Sequence, residues 1–137
     1  MILQPEIVLV EDNSSDAELA SITLDELGLF NRTKIISNGE AAVNFFMSGN
    51  SPNKENTKNL KLIFLDLMLP KLNGFEILEK IDTEYYTKEI PVVIFSSSEI
   101  YKDVERAYSL GVNGYLVKPI DFTYHQYILK SAINFWL

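Results

Sequence analysis

The segment LIFLDLMLP, residues 62–70, places one carboxylate, Asp66, inside an otherwise apolar run. Four consecutive apolar residues before Asp66 are typical of a strand that is buried on both faces of a parallel sheet. An aspartate directly after such a strand has two ordinary interpretations. It can satisfy a turn or cap the next helix, or it can act as a nucleophile that takes up a phosphoryl group. The segment by itself leaves both interpretations open.

The chain around this segment alternates between short apolar runs and stretches with helical periodicity. Each strand is expected to be followed by a helix. The first helix carries the capping-box pattern Ser15-x-x-Glu18, and the last is predicted over residues 121–135. Five apolar strands and five helices indicate a doubly wound α/β fold, with helices on both faces of a parallel sheet. The strands other than 62–65 are predicted at residues 7–10, 34–37, 91–95 and 115–117.

Length, composition and charge limit the remaining possibilities. The 137 residues fit one domain, residues 1–137, and the polar segment 48–59 is interpreted as a loop within it. Cysteine is absent, which excludes disulfides and thiolate metal sites. The net charge of -7 disfavours a nucleic-acid partner, since phosphate contacts need lysine and arginine. We find no signal peptide and no apolar stretch of membrane length, so we expect a cytoplasmic protein without membrane contact.

Polar residues follow the strands where each strand ends. Glu11 and Asp12 follow strand one, Asp66 follows strand three, Ser96 lies at the end of strand four, and Lys118 follows strand five. Right-handed crossovers bring the carboxyl ends of parallel strands to one edge, where ligands bind in open α/β sheets. Carboxylates that meet there repel each other, and Mg²⁺ removes this conflict because it prefers oxygen ligands. The sequence therefore predicts a magnesium site at this edge.

The neighbours of the predicted site also have ordinary interpretations. Lys118 is either a solvated lysine after a strand or a point charge for a carboxylate or phosphoryl oxygen. Ser96 either caps the next helix or donates to a phosphoryl group, and Ser97 or Ser98 could fill the capping role instead. His125, the only histidine, is predicted on the last helix and far from this edge. A histidine-rich transition-metal site is therefore not expected.

In their order and spacing, these motifs resemble the receiver domain of bacterial two-component response regulators of the chemotaxis-regulator type. The matching segments are VLVEDN at 8–13, DLMLP at 66–70 with Gly74, FSS at 95–97, and GYLVKP at 114–119. The resemblance covers essentially the whole chain and implies a flavodoxin-like sheet with strand order 2-1-3-4-5. The polar insert and the terminal segment NFWL further resemble single-domain regulators that partner bacterial phytochromes.

The resemblance implies a role for each acidic position. Glu11 and Asp12 would hold Mg²⁺ together with Asp66, and the backbone carbonyl of Met68 would be an additional ligand. Asp66 would be the phospho-acceptor.

The resemblance also implies a switch beside the acidic residues. Ser96 matches the switch hydroxyl, and Tyr115 matches the aromatic side chain that turns inward when the hydroxyl engages the phosphoryl group. Lys118 matches the lysine that contacts this group. In the family, the Lys118–Pro119 peptide bond is often cis.

The implied function is that of a stand-alone response regulator. A sensor histidine kinase, with a phytochrome as a candidate, would supply the phosphoryl group, and a downstream protein target would receive the signal. The protein would catalyse only its own phosphorylation and dephosphorylation, so it would not be an enzyme in the usual sense. Apolar residues on more than one side of the last helix leave open core packing or a homodimer through helix four, strand five and helix five.

Three other functions are compatible with parts of this pattern. A phosphohydrolase of the haloacid dehalogenase type needs a second aspartate two residues after the first, and Met68 stands there. A flavodoxin-like electron carrier needs a hydroxyl-rich phosphate loop after strand one, where Glu11 and Asp12 would repel a phosphate. A receiver that binds partners without phosphorylation is disfavoured by the full set of acids, hydroxyl and lysine, and an assay must decide it.

Overall fold

The computed structural model describes residues 4–81, 85–86 and 89–137. Strands and helices alternate along the chain, and we number the strands of the main sheet and the principal helices in chain order. The strands are β1 (Ile7–Val10), β2 (Thr33–Ile36), β3 (Leu62–Leu65), β4 (Val92–Ser96) and β5 (Gly114–Val117). The helices are α1 (Ser14–Glu26), α2 (Gly39–Phe46), α3 (Gly74–Lys80), α4 (Tyr101–Ser109) and α5 (Phe122–Trp136).

The main sheet has five parallel strands in the order β2-β1-β3-β4-β5. Its register aligns the strand ends: Val10 pairs with Leu65, Leu65 pairs with Ile94, and Ser96 pairs with Val117. The predicted fold class and strand order are therefore confirmed. The residues that follow β1, β3, β4 and β5 all lie at one edge of the sheet.

Apolar side chains cover both faces of this sheet. Val8 and Val10 belong to a core cluster that includes side chains from α2, α3 and α4. Ile7 and Leu9 belong to a second cluster, which includes side chains from α1 and α5. Successive residues of a strand point to opposite faces, so a strand covered on both sides has to be apolar at every position. This is the physical reason for the uninterrupted apolar runs in the sequence.

The start of α1 differs from the prediction. The capping-box assignment at Ser15-x-x-Glu18 is wrong, because the helix begins at Ser14 and Asn13 is its N-cap. The Asn13 side chain accepts a hydrogen bond from the backbone N–H of Asp16 at 3.0 Å. Asparagine and serine are about equally good N-caps, and the chain turns into the helix at the first of them.

The polar segment 48–59 carries local structure that the loop assignment missed. Met47–Ser48 and Ser51–Pro52 form a short antiparallel hairpin, and Gly49 in its turn has a φ of 64°, a conformation that glycine adopts without strain. A single helical turn follows at Lys54–Thr57. The assignment of this segment as a simple loop is therefore wrong, although it does lie within the single sheet-and-helix unit.

Strand boundaries also differ from the predictions by one residue. β2 is Thr33–Ile36, and β4 is Val92–Ser96 rather than 91–95. Pro91 has no N–H to donate to the ladder, but its carbonyl accepts a hydrogen bond from the N–H of Ile63 at 2.9 Å.

Candidate functional site

Three carboxylates meet at the carboxyl edge of the sheet. Glu11 and Asp12 follow β1, and Asp66 follows the neighbouring strand β3; each offers an oxygen within 4.8 Å of the others. Glu11 and Asp66 are only 2% and 3% exposed, whereas Asp12 is open to solvent. Two buried oxygen ligands with one exposed neighbour leave room for water molecules on a bound ion. This donor set fits a hard divalent cation such as Mg²⁺, which keeps several waters and uses few carboxylates.

Lys118 crosses the edge from the end of β5 and reaches these carboxylates. Its Nζ lies 2.5 Å from Glu11 Oε1, 2.7 Å from Asp66 Oδ2 and 2.9 Å from Asp16 Oδ2. The lysine side chain is only 6% exposed. The predicted convergence of Glu11, Asp12, Asp66 and Lys118 is thus present in the structure. An ammonium group has three N–H donors, and here each of them has a carboxylate partner.

Burial and pairing set the charges of the two groups at the centre. Burial would raise the pKa of Asp66, but hydrogen bonds from Lys118 and from the backbone N–H of Met68 outweigh it, so the pKa lies below its usual value of 3.8. Burial would likewise lower the pKa of Lys118, but its hydrogen bonds to Asp66 and Glu11 raise it above its usual value. At neutral pH, Asp66 is therefore an anion held against a cationic lysine.

Glu11 experiences the opposite balance. Burial raises the pKa of this carboxyl to about 8, and the neighbouring Asp66 carboxylate adds to the shift, although Lys118 opposes it. Two acids this close cannot both ionise freely. A divalent cation placed between their oxygens removes the conflict, which is further reason to regard the cluster as fitted for a metal ion.

The loop after β3 fixes the orientation of the Asp66 carboxylate. The backbone N–H of Met68 donates to Asp66 Oδ1 at 2.9 Å, so each carboxylate oxygen has its own donor. Gly74, at the start of α3, closes this loop through a hydrogen bond from its N–H to the Leu67 carbonyl at 3.1 Å. A Cβ at Gly74 would lie 2.5 Å from the Asp66 carbonyl oxygen. The loop can therefore approach α3 this closely only because position 74 has no side chain.

Ser96 lies at the end of β4, the strand next to β3, and Tyr115 lies on β5, one strand further along the sheet. Ser96 is fully buried, and its Oγ accepts a hydrogen bond from the N–H of Ser98 at 3.4 Å. The Tyr115 ring packs against the core, and its hydroxyl donates to the Ser98 carbonyl at 2.7 Å. Burial raises the pKa of Tyr115, so the hydroxyl stays protonated and able to donate. The segment 96–98 thus connects the site edge to the Tyr115 side chain.

The expectation that Ser97 or Ser98 caps the next helix is wrong. Helix α4 begins only at Tyr101, and Ile100 occupies the cap position without a side-chain hydrogen bond. Ser98 instead donates from its Oγ to Asp103 at 2.6 Å. A cap at Ser98 would start the helix at residue 99, two residues before its observed start, so the serines belong to the loop between β4 and α4.

A family model described as the response regulator receiver domain matches residues 7–129. The chain belongs to this receiver family. Response regulator Rcp1 from Synechocystis sp. is 34% identical to this receiver domain over 96% of the chain and 88% of Rcp1. The likeness thus extends over nearly the full length of both proteins.

Two solved structures share the fold of the receiver domain closely. The phosphorylated cyanobacterial phytochrome response regulator RcpA superposes with a TM-score of 0.82 at 32% identity, covering 97% of this chain and 94% of RcpA. The Mn²⁺-bound form of Rcp1 gives a TM-score of 0.80 at 33% identity, covering 97% and 95% of the two chains. The prediction that this chain resembles regulators that partner phytochromes is confirmed at the level of family and fold.

Receiver domains bind Mg²⁺ or Mn²⁺ at an acidic cluster, and Glu11, Asp12 and Asp66 form such a cluster here. Among the residues that the structure describes, no helix has the length and apolar character needed to cross a bilayer. The role predicted for the Met68 carbonyl is not tested by these contacts and stays a prediction.

Two further features of the receiver site become clear in the structure. The Lys118–Pro119 peptide bond, whose cis or trans state the sequence left open, is trans, since none of the described peptide bonds is cis. His125 is not far from the edge. Its ring is buried against Phe95, with 5.0 Å between the ring centroids. Burial lowers the pKa of His125, while the charge of Asp16 opposes this shift and that of Lys118 adds to it. His125 lies in the first turn of α5, which starts directly behind the lysine.

Asp16 is the site residue that sequence reasoning missed. It lies in the first turn of α1, four residues after Asp12, and its carboxylate contacts Lys118 at 2.9 Å. The signal was present in the sequence, because an acid one turn into a helix that leaves the site edge can point back toward it. The capping assignment at Ser15-x-x-Glu18 obscured this signal by placing the helix start too late.

Proposed function

We propose that this receiver domain takes up a phosphoryl group on Asp66, from a sensor histidine kinase, in a reaction that depends on Mg²⁺. The observation that carries the proposal is the environment of the Asp66 carboxylate. It is buried, ionised at neutral pH, hydrogen-bonded at both oxygens and adjacent to two further acids. An anion held in this way is suited to attack phosphorus, and the cluster around it can hold the required cation.

The proposed step forms one bond and breaks another. An oxygen of Asp66 bonds to phosphorus while the bond between phosphorus and the ring nitrogen of the donor histidine breaks, which yields an acyl phosphate. Mg²⁺, held by Glu11, Asp12, Asp66 and the carbonyl of Met68, would neutralise charge on the phosphoryl oxygens. The Lys118 ammonium, already at Asp66 Oδ2, donates to the incoming phosphoryl group.

The proposed output is a change in the segment 96–98, which links the site to the Tyr115 side chain. When the phosphoryl group engages the Ser96 hydroxyl, the segment 96–98 shifts toward the site. The Ser98 carbonyl accepts the Tyr115 hydrogen bond, so its displacement reorients the tyrosine ring. The outer surface formed by α4, β5 and α5 then changes, which is a two-state response to a local change of charge.

The partners are proposed from the relatives. Because RcpA is a cyanobacterial phytochrome response regulator, a phytochrome-type histidine kinase is the favoured phosphoryl donor. A kinase partner of this kind implies a cytoplasmic location. The protein would catalyse only its own phosphorylation and dephosphorylation and would pass the signal to a downstream protein.

A homodimer is proposed through the α4–β5–α5 face. On α5, Leu129 and Ile133 are buried in the core, while Phe135 and Tyr127 are 77% and 66% exposed. The alternative of core packing therefore accounts for one side of this helix but not for the other. The exposed aromatic side chains lie around an apolar depression lined by Leu116, Tyr127, Ile128, Ala132, Phe135 and Trp136. Such a patch is suited to a protein contact.

Intact mass spectrometry tests the phosphorylation directly. The protein is incubated with acetyl phosphate and Mg²⁺, and the control is the same mixture with EDTA. We expect the wild type to gain one phosphoryl group only when Mg²⁺ is present, and Asp66→Asn to gain none. Labelling of Asp66→Asn to the same extent as the wild type would show that Asp66 is not the phospho-acceptor. Labelling in the presence of EDTA would show that the reaction does not need a metal ion.

A further inference from the structure

The three carboxylates around Lys118 are not equivalent. Glu11 and Asp66 belong to the group of acids that could hold a metal ion, and Asp16 does not. Asp16 also comes from a different element, since it lies on α1 whereas the other two follow strands of the sheet. Its side chain is 28% exposed, against 2% for Glu11 and 4% for Asp66.

The position of Asp16 is fixed from two directions. Its backbone N–H donates to the Asn13 side chain, which anchors the first turn of α1 directly behind the acidic edge. Its carboxylate lies 2.9 Å from Lys118 Nζ, across 102 residues of sequence. Asp16 therefore links the start of α1 to the end of β5. This contact is charge-assisted, and such hydrogen bonds are among the stronger ones in proteins.

Loading of the site would engage the other two partners of the lysine. A divalent cation held there would use carboxylate oxygens of Glu11 and Asp66, and phosphorylation would convert the Asp66 carboxylate into an acyl phosphate with less charge on its carboxyl oxygens. Of the three carboxylates that contact Lys118, only Asp16 would then be free of the cation and the phosphoryl group.

We propose that Asp16 is a positioning residue, which holds the Lys118 ammonium in place while Glu11 and Asp66 engage the cation and the phosphoryl group. One N–H of Lys118 stays on Asp16, so another N–H stays directed at the phosphoryl oxygens. The proposal rests on the proposed function, because it assigns Asp16 a role in that same phosphoryl transfer.

The charge of Asp16 and its positioning role have opposite effects on rate. Removing a negative charge near the site should by itself favour an anionic phosphodonor and speed the reaction. Loss of the lysine's orientation should slow it, since small misplacements of a reacting group cost rate steeply. A slower Asp16→Asn variant therefore reports lost positioning and not lost charge.

The kinetic experiment compares three variants at saturating Mg²⁺ and acetyl phosphate, with the labelled fraction followed by intact mass. Asp16→Asn should lower the maximal rate about tenfold, because a misplaced ammonium costs rate. Asp16→Glu keeps the carboxylate and should recover part of that loss. Glu18→Gln is the matched control, since Glu18 is an exposed acid on the same helix, and it should not slow the reaction.

A second measurement follows the lysine itself. In protein with ¹⁵N-labelled lysine, the Nζ–H signal of Lys118 is assigned by its loss in Lys118→Arg and observed with Mg²⁺ and beryllofluoride as the phosphoryl mimic. We expect exchange with water to be slow in the wild type and in Glu18→Gln, and several-fold faster in Asp16→Asn.

The outcomes separate this inference from the proposed function. If the wild type takes up no phosphoryl group, the proposed function fails and the role of Asp16 fails with it. If the wild type is labelled and Asp16→Asn is labelled as fast or faster, with unchanged exchange at Lys118, the proposed function stands and the positioning role is wrong.

Discussion

At the scale of single residues, the site is a balance of buried charges around one ammonium group. Lys118 is nearly inaccessible, and its attraction to Asp66 keeps that carboxylate ionised despite burial. Glu11, which lies against the same lysine, remains the acid that binds a proton most readily. Taking two charges out of water is costly unless their partners are well placed. The short contacts to Lys118 meet that condition, and they leave the acids arranged for a cation.

The buried His125 ring should make the stability of the protein depend on pH. The ring is 1% exposed, and neither nitrogen has a hydrogen-bond partner among the described residues. Burial lowers the pKa of His125 below its usual 6.5; Asp16 on α1 opposes the shift and Lys118 after β5 adds to it. Below pH 6.5 the His125 ring binds a proton in the unfolded chain but not in the folded protein, so the free energy of unfolding should fall as the pH falls.

The corresponding variant is His125→Leu, which keeps an apolar side chain of similar size. Urea unfolding at several pH values between about 7.5 and 5.5 compares it with the wild type. The variant should gain relative stability as the pH falls, at most about 1.4 kcal/mol for each pH unit below the histidine's ordinary pKa. A constant difference between the two proteins across this range would show that His125 accepts a proton in the folded state.

At the scale of elements, the start of α1 decides where the first acids and Asp16 lie. Asn13 caps this helix through the N–H of Asp16, while Ser15 is an exposed residue inside the first turn. Asn13→Ala should therefore lower the free energy of unfolding by about 1 kcal/mol. Ser15→Ala should change it little. Chemical denaturation of both variants provides the measurement, and the reverse order would favour a capping box at Ser15.

The helices and strands also show how far the sequence could be interpreted. The apolar runs of β1, β3 and β4 predicted buried parallel strands, because each run is covered on both faces. The order of the strands followed from the family resemblance and not from periodicity, which carries no information about neighbours. The N-cap residues Asn13 and Ile100 could not be predicted from the sequence, since several polar residues near each helix start have similar capping propensities.

The candidate site was predictable to a similar extent. Glu11, Asp12, Asp66 and Lys118 follow strand ends, so sheet topology alone brings them to one edge. The contact between Asp16 and Lys118 was not predicted, because it depends on where α1 begins. A shift of one or two residues turns a helical side chain to another face. His125 was misplaced because the direction in which α5 leaves β5 is a property of packing.

At the scale of the whole molecule, the receiver has one acidic edge and one partly apolar face. The edge gathers four carboxylates, three of which contact Lys118, and the α4–β5–α5 face exposes aromatic side chains that α5 does not bury. The segment 96–98 connects the two regions, because the Ser98 carbonyl accepts a hydrogen bond from the Tyr115 hydroxyl. In the proposed function, this arrangement would convert a change of charge at Asp66 into a change at the α4–β5–α5 face.

The proposed homodimer belongs to this scale. Sedimentation velocity with Mg²⁺, with and without beryllofluoride, should show a dimer that depends on protein concentration. Phe135→Ser should weaken it, because this side chain is 77% exposed at the end of α5. Phe30→Ser is the control, since Phe30 is an exposed aromatic residue, 44% accessible, next to β2 at the opposite edge of the sheet. A monomer at high concentration in both states would end the dimer proposal.

Chemical location of the phosphoryl group tests most directly whether Asp66 is the acceptor. After labelling with acetyl phosphate and Mg²⁺, borohydride reduction converts an aspartyl phosphate into homoserine, which peptide mass spectrometry can place in the sequence. We expect homoserine at position 66, in the peptide that contains LIFLDLMLP. Homoserine at position 12 or 16, or a phosphoryl group retained on Ser96, would contradict this expectation.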